Sequence, residues 1–314
     1  MPIQSFSSFD AFFNANRHAS LRAMILGPER RNWALTVLLV NKFSVQWGKA
    51  SGKAVVEGVS KPGGLTIFLQ TQGLPAFSGN GRRFDELSMM VVGPGDEFCL
   101  AADATSRRWC SLYIPNEEYA DTNGDAATVA GSMRGVFSLP PDRIETFRSI
   151  IDQLDKAVQR APHAFNSAAV QRAAQQKLVR EIRAVLAVPC GVEPTIGRHA
   201  FPRREIIRRS MEFIEQHDSE YLSVEQLATA AGVSERTLRD TFQRYFGVSP
   251  VQYLNRRTLH QVRRALKAAD PSVATVTEIV CQFGVWQFGR FARDYRLLFA
   301  ELPSETLRQL KKTV

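Results

Sequence analysis

The period of the apolar positions changes near residue 141, and the two periods predict different architecture on either side of it. Before it, the apolar residues fall in short runs. Trp33 to Val40 is apolar and rich in β-branched residues, Phe43 to Trp47 alternates, and Gly64 to Leu69 and Leu87 to Val92 are brief. Turn-forming clusters separate them, at Lys61-Pro62-Gly63-Gly64, Ser78-Gly79-Asn80-Gly81 and Gly93-Pro94-Gly95-Asp96. Short strands with regular turns predict a sandwich or small barrel over about residues 33–114.

From Pro141 the spacing becomes helical. Ile144, Phe147, Ile151, Leu154 and Val158 mark one face, with Asp142 the expected N-cap. Val170, Ala174, Leu178, Ile182 and Val185 mark another, so a helical hairpin is predicted. Its apolar edge could pack on the preceding sheet or form a dimer face. The Pro- and Gly-bearing stretch from Pro189 to Pro202 reads as a linker. After Arg203 the pattern is helical to the end. The expected domains are therefore 1–188, a linker over 189–203, and 204–314.

The last third contains an internal repeat. Leu227-Ala228-Thr229-Ala230-Ala231-Gly232-Val233 parallels Ile279-Val280-Cys281-Gln282-Phe283-Gly284-Val285. Each ends a short apolar helix at a glycine, which suits the positive φ of a tight turn. Leu238, Phe242 and Phe246 then recur every four residues, as do Phe291, Tyr295 and Phe299. That spacing places each set on one inward helix face. Leu238 is six residues after its glycine and Phe291 seven. Two helix-turn-helix units follow, about 223–246 and 275–299, joined by a helix over 251–267.

At Val280, Gly284, Phe291-Ala292-Arg293-Asp294-Tyr295, Phe299-Ala300 and Pro303 the chain resembles the AraC/XylS family of bacterial transcription regulators. Ala300 stands where that family usually has glycine, and Thr306 where an aromatic residue is common, so the cap of the second reading helix is expected to differ. The resemblance implies an α+β chain of two domains. A jelly-roll-like β-rich sensor with a helical hairpin would precede an all-α tandem helix-turn-helix. It implies a DNA-binding transcription regulator, an activator, with double-stranded DNA, RNA polymerase and a small-molecule effector as partners. It also admits a homodimer. In such a module each second helix enters a major groove, the two grooves lying about one turn, ~34 Å, apart.

The buried stripes leave Arg236, Arg239, Asp240 and Gln243 outward in the first unit, with Ser234 at the helix start. In the second they leave Gly289, Ala292, Arg293 and Arg296 outward, with Gln287 near the start. Arg236, Arg239 and Arg293 are the candidate base readers, because a guanidinium bonds guanine O6 and N7 together. A phosphate contact or a solvated charge is the alternative at each. Arg244, Arg256, Arg257, Arg263 and Arg264 are candidates for phosphate. Trp286 and Phe288 give the second helix a bulkier start, so the second half of the site is expected to be read more by apolar contact and DNA shape.

Composition changes this picture little. The net charge is +9, of which the residues from Arg203 onward, with 18 Lys and Arg against 13 Asp and Glu, hold more than half. That agrees with a polyanionic partner. No apolar run has transmembrane length and no signal peptide is evident at the start, so a cytoplasmic protein is expected. Cys99, Cys110, Cys190 and Cys281 are scattered and expected to be buried thiols. No His lies between His18 and His163, which argues against a cupin-type metal enzyme. No metal, cofactor or catalytic residues are therefore expected. Trp33, Trp47, Phe68, Phe77, Phe98, Trp109 and Tyr113 could line an effector pocket or be plain core. Two rival readings remain open, an effector-independent architectural DNA-binding protein and a DNA-modifying enzyme on the same DNA-binding fold.

Overall fold

The computed structural model describes residues 4–6, 9–29, 33–103, 107–119, 134–187, 203–217 and 221–308. The expected linker lies outside them except for Arg203, as do Cys190 and His199. The chain divides into two compact units. One comprises residues 1–23, 30–52 and 56–195; the other comprises 196–314 with 24–29 and 53–55.

The first unit begins with β1 (Gln4–Phe6), α1 (Phe9–Asn14) and β2 (Ala19–Ile25), elements that the strand pattern from residue 33 did not announce. Then come β3 (Trp33–Val40), β4 (Phe43–Ala50), β5 (Ala54–Ser60), β6 (Gly64–Gln72), β7 (Phe77–Gly79) and β8 (Arg82–Arg83). These are followed by β9 (Ser88–Val92), β10 (Glu97–Ala102), β11 (Arg107–Pro115), the short α2 (Asn116–Tyr119) and β12 (Gly135–Ser138). One sheet runs β1-β3-β4-β11-β6-β9-β12 and the other β2-β5-β10-β7-β8. Strand 4 thus pairs with 11, 5 with 10, 6 with 9 and 7 with 8, the nested order of a jelly roll. The innermost hairpin turns on Asn80 and Gly81, both at positive φ (49° and 78°), as a two-residue primed turn requires. Ser78 and Gly79, expected in that turn, belong to β7 instead.

Two helices cover the seven-stranded sheet, α3 (Pro141–Arg160) and, after a 3-10 turn at Pro162–Asn166, α4 (Ala168–Leu186). Asp142 is not the N-cap of α3. Pro140 holds that place and Pro141, with φ already suited to a helix, opens the first turn. Ile144, Phe147, Ile151 and Val158 of α3 and Leu178, Ile182 and Val185 of α4 are buried in one cluster with Val45, Ile67, Leu69 and Leu112 of the sheet. The apolar edge of the hairpin therefore packs on its own sheet. At about 1.5–3 kcal/mol per buried side chain, this burial accounts for the helical period that follows Pro141.

The opposite face of the same sheet is unusually polar. His18 is buried there between Ser44 and Ser111, each hydroxyl 2.8 Å from one ring nitrogen. Burial, helped by the nearby Lys61 charge, pulls the imidazole down to about 3, so the folded ring is neutral. The unfolded ring titrates near its ordinary 6.5. Below that pH the unfolded chain takes a proton that the folded one refuses, and stability falls. Unfolding titrations should lose ~1.4 kcal/mol per pH unit from this residue between about 6.5 and 3. In a His18→Gln variant the slope should be shallower by that amount; an unchanged slope would contradict it.

The second unit is helical: α5 (Arg203–Gln216), α6 (Val224–Ala231), α7 (Glu235–Phe246), α8 (Pro250–Ala268), α9 (Val276–Gln282), α10 (Phe288–Phe299) and α11 (Pro303–Arg308). α5 packs on α6 and α7, while α8 packs on α7, α9 and α11. The first helix-turn-helix pair thus rests on α5, and α8 joins it to the second.

Candidate nucleic-acid interface

Capping boxes start both helix-turn-helix units. Ser223 accepts from the Gln226 amide, and the Gln226 side chain accepts from the Ser223 N–H, at the head of α6. Thr275 and Glu278 do the same for α9, as do Ser249 and Gln252 for α8. These S/T-x-x-E/Q spacings stand in the sequence and mark the three helix starts.

Gly232 and Gly284 take φ of 69° and 70°, which closes each first helix as expected. The turns after them differ. Val233 alone separates Gly232 from the N-cap Ser234, whereas Val285 and Trp286 separate Gly284 from the N-cap Gln287. The extra residue stays in the turn, since Leu238 and Phe291 each stand fourth in their helix. In that register Arg236 matches Gly289, Arg239 matches Ala292, Asp240 matches Arg293 and Gln243 matches Arg296.

The stripes are buried. Leu238, Phe242 and Phe246 are at most 1% exposed, and Phe291, Tyr295 and Phe299 at most 7%. Phe242 meets Phe246 at 5.0 Å and Tyr295 meets Phe299 at 4.7 Å, both edge-on. Opposite them, Ser234, Arg236, Arg239, Asp240 and Gln243 on α7 are exposed, as are Gln287, Gly289, Arg293 and Arg296 on α10. The nine form two groups, one per second helix. The Ser234 hydroxyl accepts from the Thr237 amide, so it caps α7. Gln287 makes no such bond, and α10 starts without a side-chain cap.

Arg257 and Arg263, expected on phosphate, face inward. Arg257 is 7% exposed and donates to the carbonyls of Ile214 and His217, where it caps the end of α5. Arg263 donates to Glu301 and lies over the Phe299 ring, 4.4 Å from its centre. Arg244 and Arg264 are exposed and Arg256 is half-buried. Thr306 is fully buried. Its hydroxyl donates to Glu301 and stands 2.8 Å from the Tyr295 phenol.

Among the seven aromatic residues considered for a pocket, Trp33, Phe68, Phe77 and Trp109 pack in a ring cluster with Phe12 and Phe84. Tyr113 donates its phenolic proton to the Pro62 carbonyl. Only Trp47 of the seven lines a cleft of about 510 Å³, together with Lys49, Gln72, Arg107, Arg108 and Gln159. Burial lowers the Arg107 guanidinium to about 10, which leaves it charged at neutral pH. Arg108 is tied to the buried carboxylate of Asp155 at 2.6 Å. The Trp47 indole nitrogen is buried and has no hydrogen-bond partner among the described residues.

A helix-turn-helix domain model matches residues 227–309. The region is 41% identical over 106 residues to the "XylDLEGF operon transcriptional activator" of Pseudomonas putida, 34% of this chain and 33% of that one. It is 38% identical over 103 residues to the "Probable thc operon regulatory protein" of Rhodococcus erythropolis, 33% of this chain and 31% of that one. A solved "probable AraC family transcriptional regulator" from Rhodopseudomonas palustris CGA009 is 35% identical, covering 33% of this chain and 95% of that one at a TM-score of 0.31. Residues 227–309 thus match a helix-turn-helix domain, and the region is similar to these transcriptional activators. The chain spans about one third of the length of the curated relatives it matches.

Within that family position, Ala300 does not change the cap. It takes φ 56°, ψ 22°, close to the 67°, 17° of Gly247 at the end of α7, and its N–H bonds the Arg296 carbonyl as that of Gly247 bonds Gln243. A left-handed alanine costs about 1–2 kcal/mol. Glycine would remove that strain and return part of the gain as freedom of the unfolded chain. Ala300→Gly should stabilise the folded protein by a net of about 0.5–1 kcal/mol and so raise its denaturation midpoint. A lower midpoint in urea would refute the strain.

Proposed function

We propose that this protein is a sequence-specific DNA-binding transcription regulator, acting as an activator, that reads two successive major-groove segments with α7 and α10. The carrying observation is the repeated geometry. Two helices, each started after a left-handed glycine turn and each held by a buried stripe, expose nine residues suited to a groove. Four are arginines, and an arginine bonded to guanine discriminates by about 1–3 kcal/mol. In the register of the stripes Arg293 takes the place that Asp240 has in the first unit, so the two half-sites should differ in sequence. Recruitment of RNA polymerase and pairing of two chains belong to this reading.

The first unit supplies the response to an effector. Lys49, Arg107 and Arg108 around the cleft, with the unpartnered indole N–H of Trp47, favour a small molecule with acceptor oxygens or a negative charge. A thermal-shift screen of small carboxylates, phosphates and neutral sugars should show the acids raising the melting temperature, with the shift lost in Lys49→Gln. A response confined to neutral compounds would refute the assignment.

The DNA reading is tested by titrating the protein at fixed salt against duplexes selected from a random pool. Arg239→Ala and Arg293→Ala should each weaken the selected site ~5- to 150-fold, while binding to random duplex changes little. Equal loss on both duplexes would reduce that arginine to a phosphate contact. Equal affinity of the unaltered protein for all duplexes would favour the architectural reading.

A further inference from the structure

We propose that the second reading helix recognises the C5-methyl group of thymine through the exposed ring of Trp286, with Phe288 beside it; this rests on the DNA reading above. Trp286 is 73% exposed and Phe288 40%. An indole left in water at the head of a reading helix is a surface awaiting a partner. The position makes the exposure more telling. Trp286 immediately precedes the N-cap, from which an apolar side chain ordinarily folds back on the fourth helical residue. That residue is the buried Phe291, yet the indole is not folded away.

The start of α10 gives up stability in a second way, because Gln287 does not cap it. α7, at the same register, has a serine cap and a polar first turn. Local rules broken together at one place mark a functional site. Gly289, on the outward face of the first turn of α10, has nothing within 4 Å of where a side chain would begin. The backbone can therefore approach a base edge, bringing the indole with it.

The surroundings select the partner. Arg290, Arg293 and Arg296 are exposed along the same helix, and Arg290 is only loosely engaged by Asp294 at 3.8 Å. An apolar spot in a cationic frame fits DNA, whose phosphates would meet the arginines. In the major groove the thymine methyl is the apolar feature, whereas the edges of guanine, cytosine and adenine present hydrogen-bonding groups. Neither ring can accept a hydrogen bond or form a bidentate pair. Thymine is the base they distinguish, with Arg293 one turn further on free to bond an adjacent guanine.

The test removes the methyl and nothing else. Binding sites are selected from random duplex pools synthesised with either thymidine or deoxyuridine triphosphate. The thymidine pool should yield a two-part site. In the deoxyuridine pool the preference should fade in one half and persist in the other. Single thymine-to-uracil replacements in the fading half should weaken binding ~4-fold each, the worth of one buried methyl. Trp286→Ala, a change at an exposed position, should bind thymine and uracil duplexes equally, while Trp286→Phe should keep part of the preference. Equal affinity of the unaltered protein for thymine and uracil duplexes would overturn the proposal and leave the indole to a protein partner. Failure to enrich any sequence from the thymidine pool would overturn the DNA reading and this inference with it.

Discussion

Each reading helix is oriented by what it must hide. Three large side chains at four-residue spacing cannot stay in water without losing several kcal/mol, so they turn inward as a unit. A rigid helix turned inward on one side presents the other side outward. The nine exposed residues are thus displayed by Leu238, Phe242 and Phe246, and by Phe291, Tyr295 and Phe299, all of which are buried. The left-handed glycines set where each helix begins, but the stripes set its rotation.

The second stripe carries a polar burden that the first does not. Tyr295 brings a phenol into the core, where an unbonded hydroxyl would cost about 1–3 kcal/mol. Thr306 meets it. Its own proton goes to Glu301, so the phenol donates to the threonine oxygen, and Glu301 in turn accepts from Arg263. Burial raises the phenol above its ordinary value, which keeps it a donor. Thr306 therefore completes a buried relay, and Glu301 at its far end holds Arg263 inward.

The sequence was legible where a single period governs a long segment. The helices after Pro141 and the two stripes follow their apolar spacing because burial is the strongest force on them. It was least legible where partners come from far away. β1 and β12 are short, and the pairing of β1, β2 and β12 with β3, β5 and β9 is invisible to a local pattern. Arg257 and Arg263 look like surface charges until Ile214, His217 and Glu301 are seen to receive them. Within the candidate interface the outward faces could be read from spacing. The one-residue difference between Gly232 to Leu238 and Gly284 to Phe291 could be counted, but not located. Its placement in the turn depends on where α10 caps, and Gln287 gives no capping signal.

That placement bears on how the two units can be exchanged or compared. The glycines are the obvious landmarks, yet aligning the repeats on them slips every reading position by one residue, about 100° around the helix. A transplant made on that alignment would carry buried residues into the groove and reading residues into the core. Aligned on the stripes, the helices correspond residue for residue, and the difference in length lies in the connecting turn. A chimaera then inherits the turn with its own helix, and the length of the loop becomes part of the reading unit.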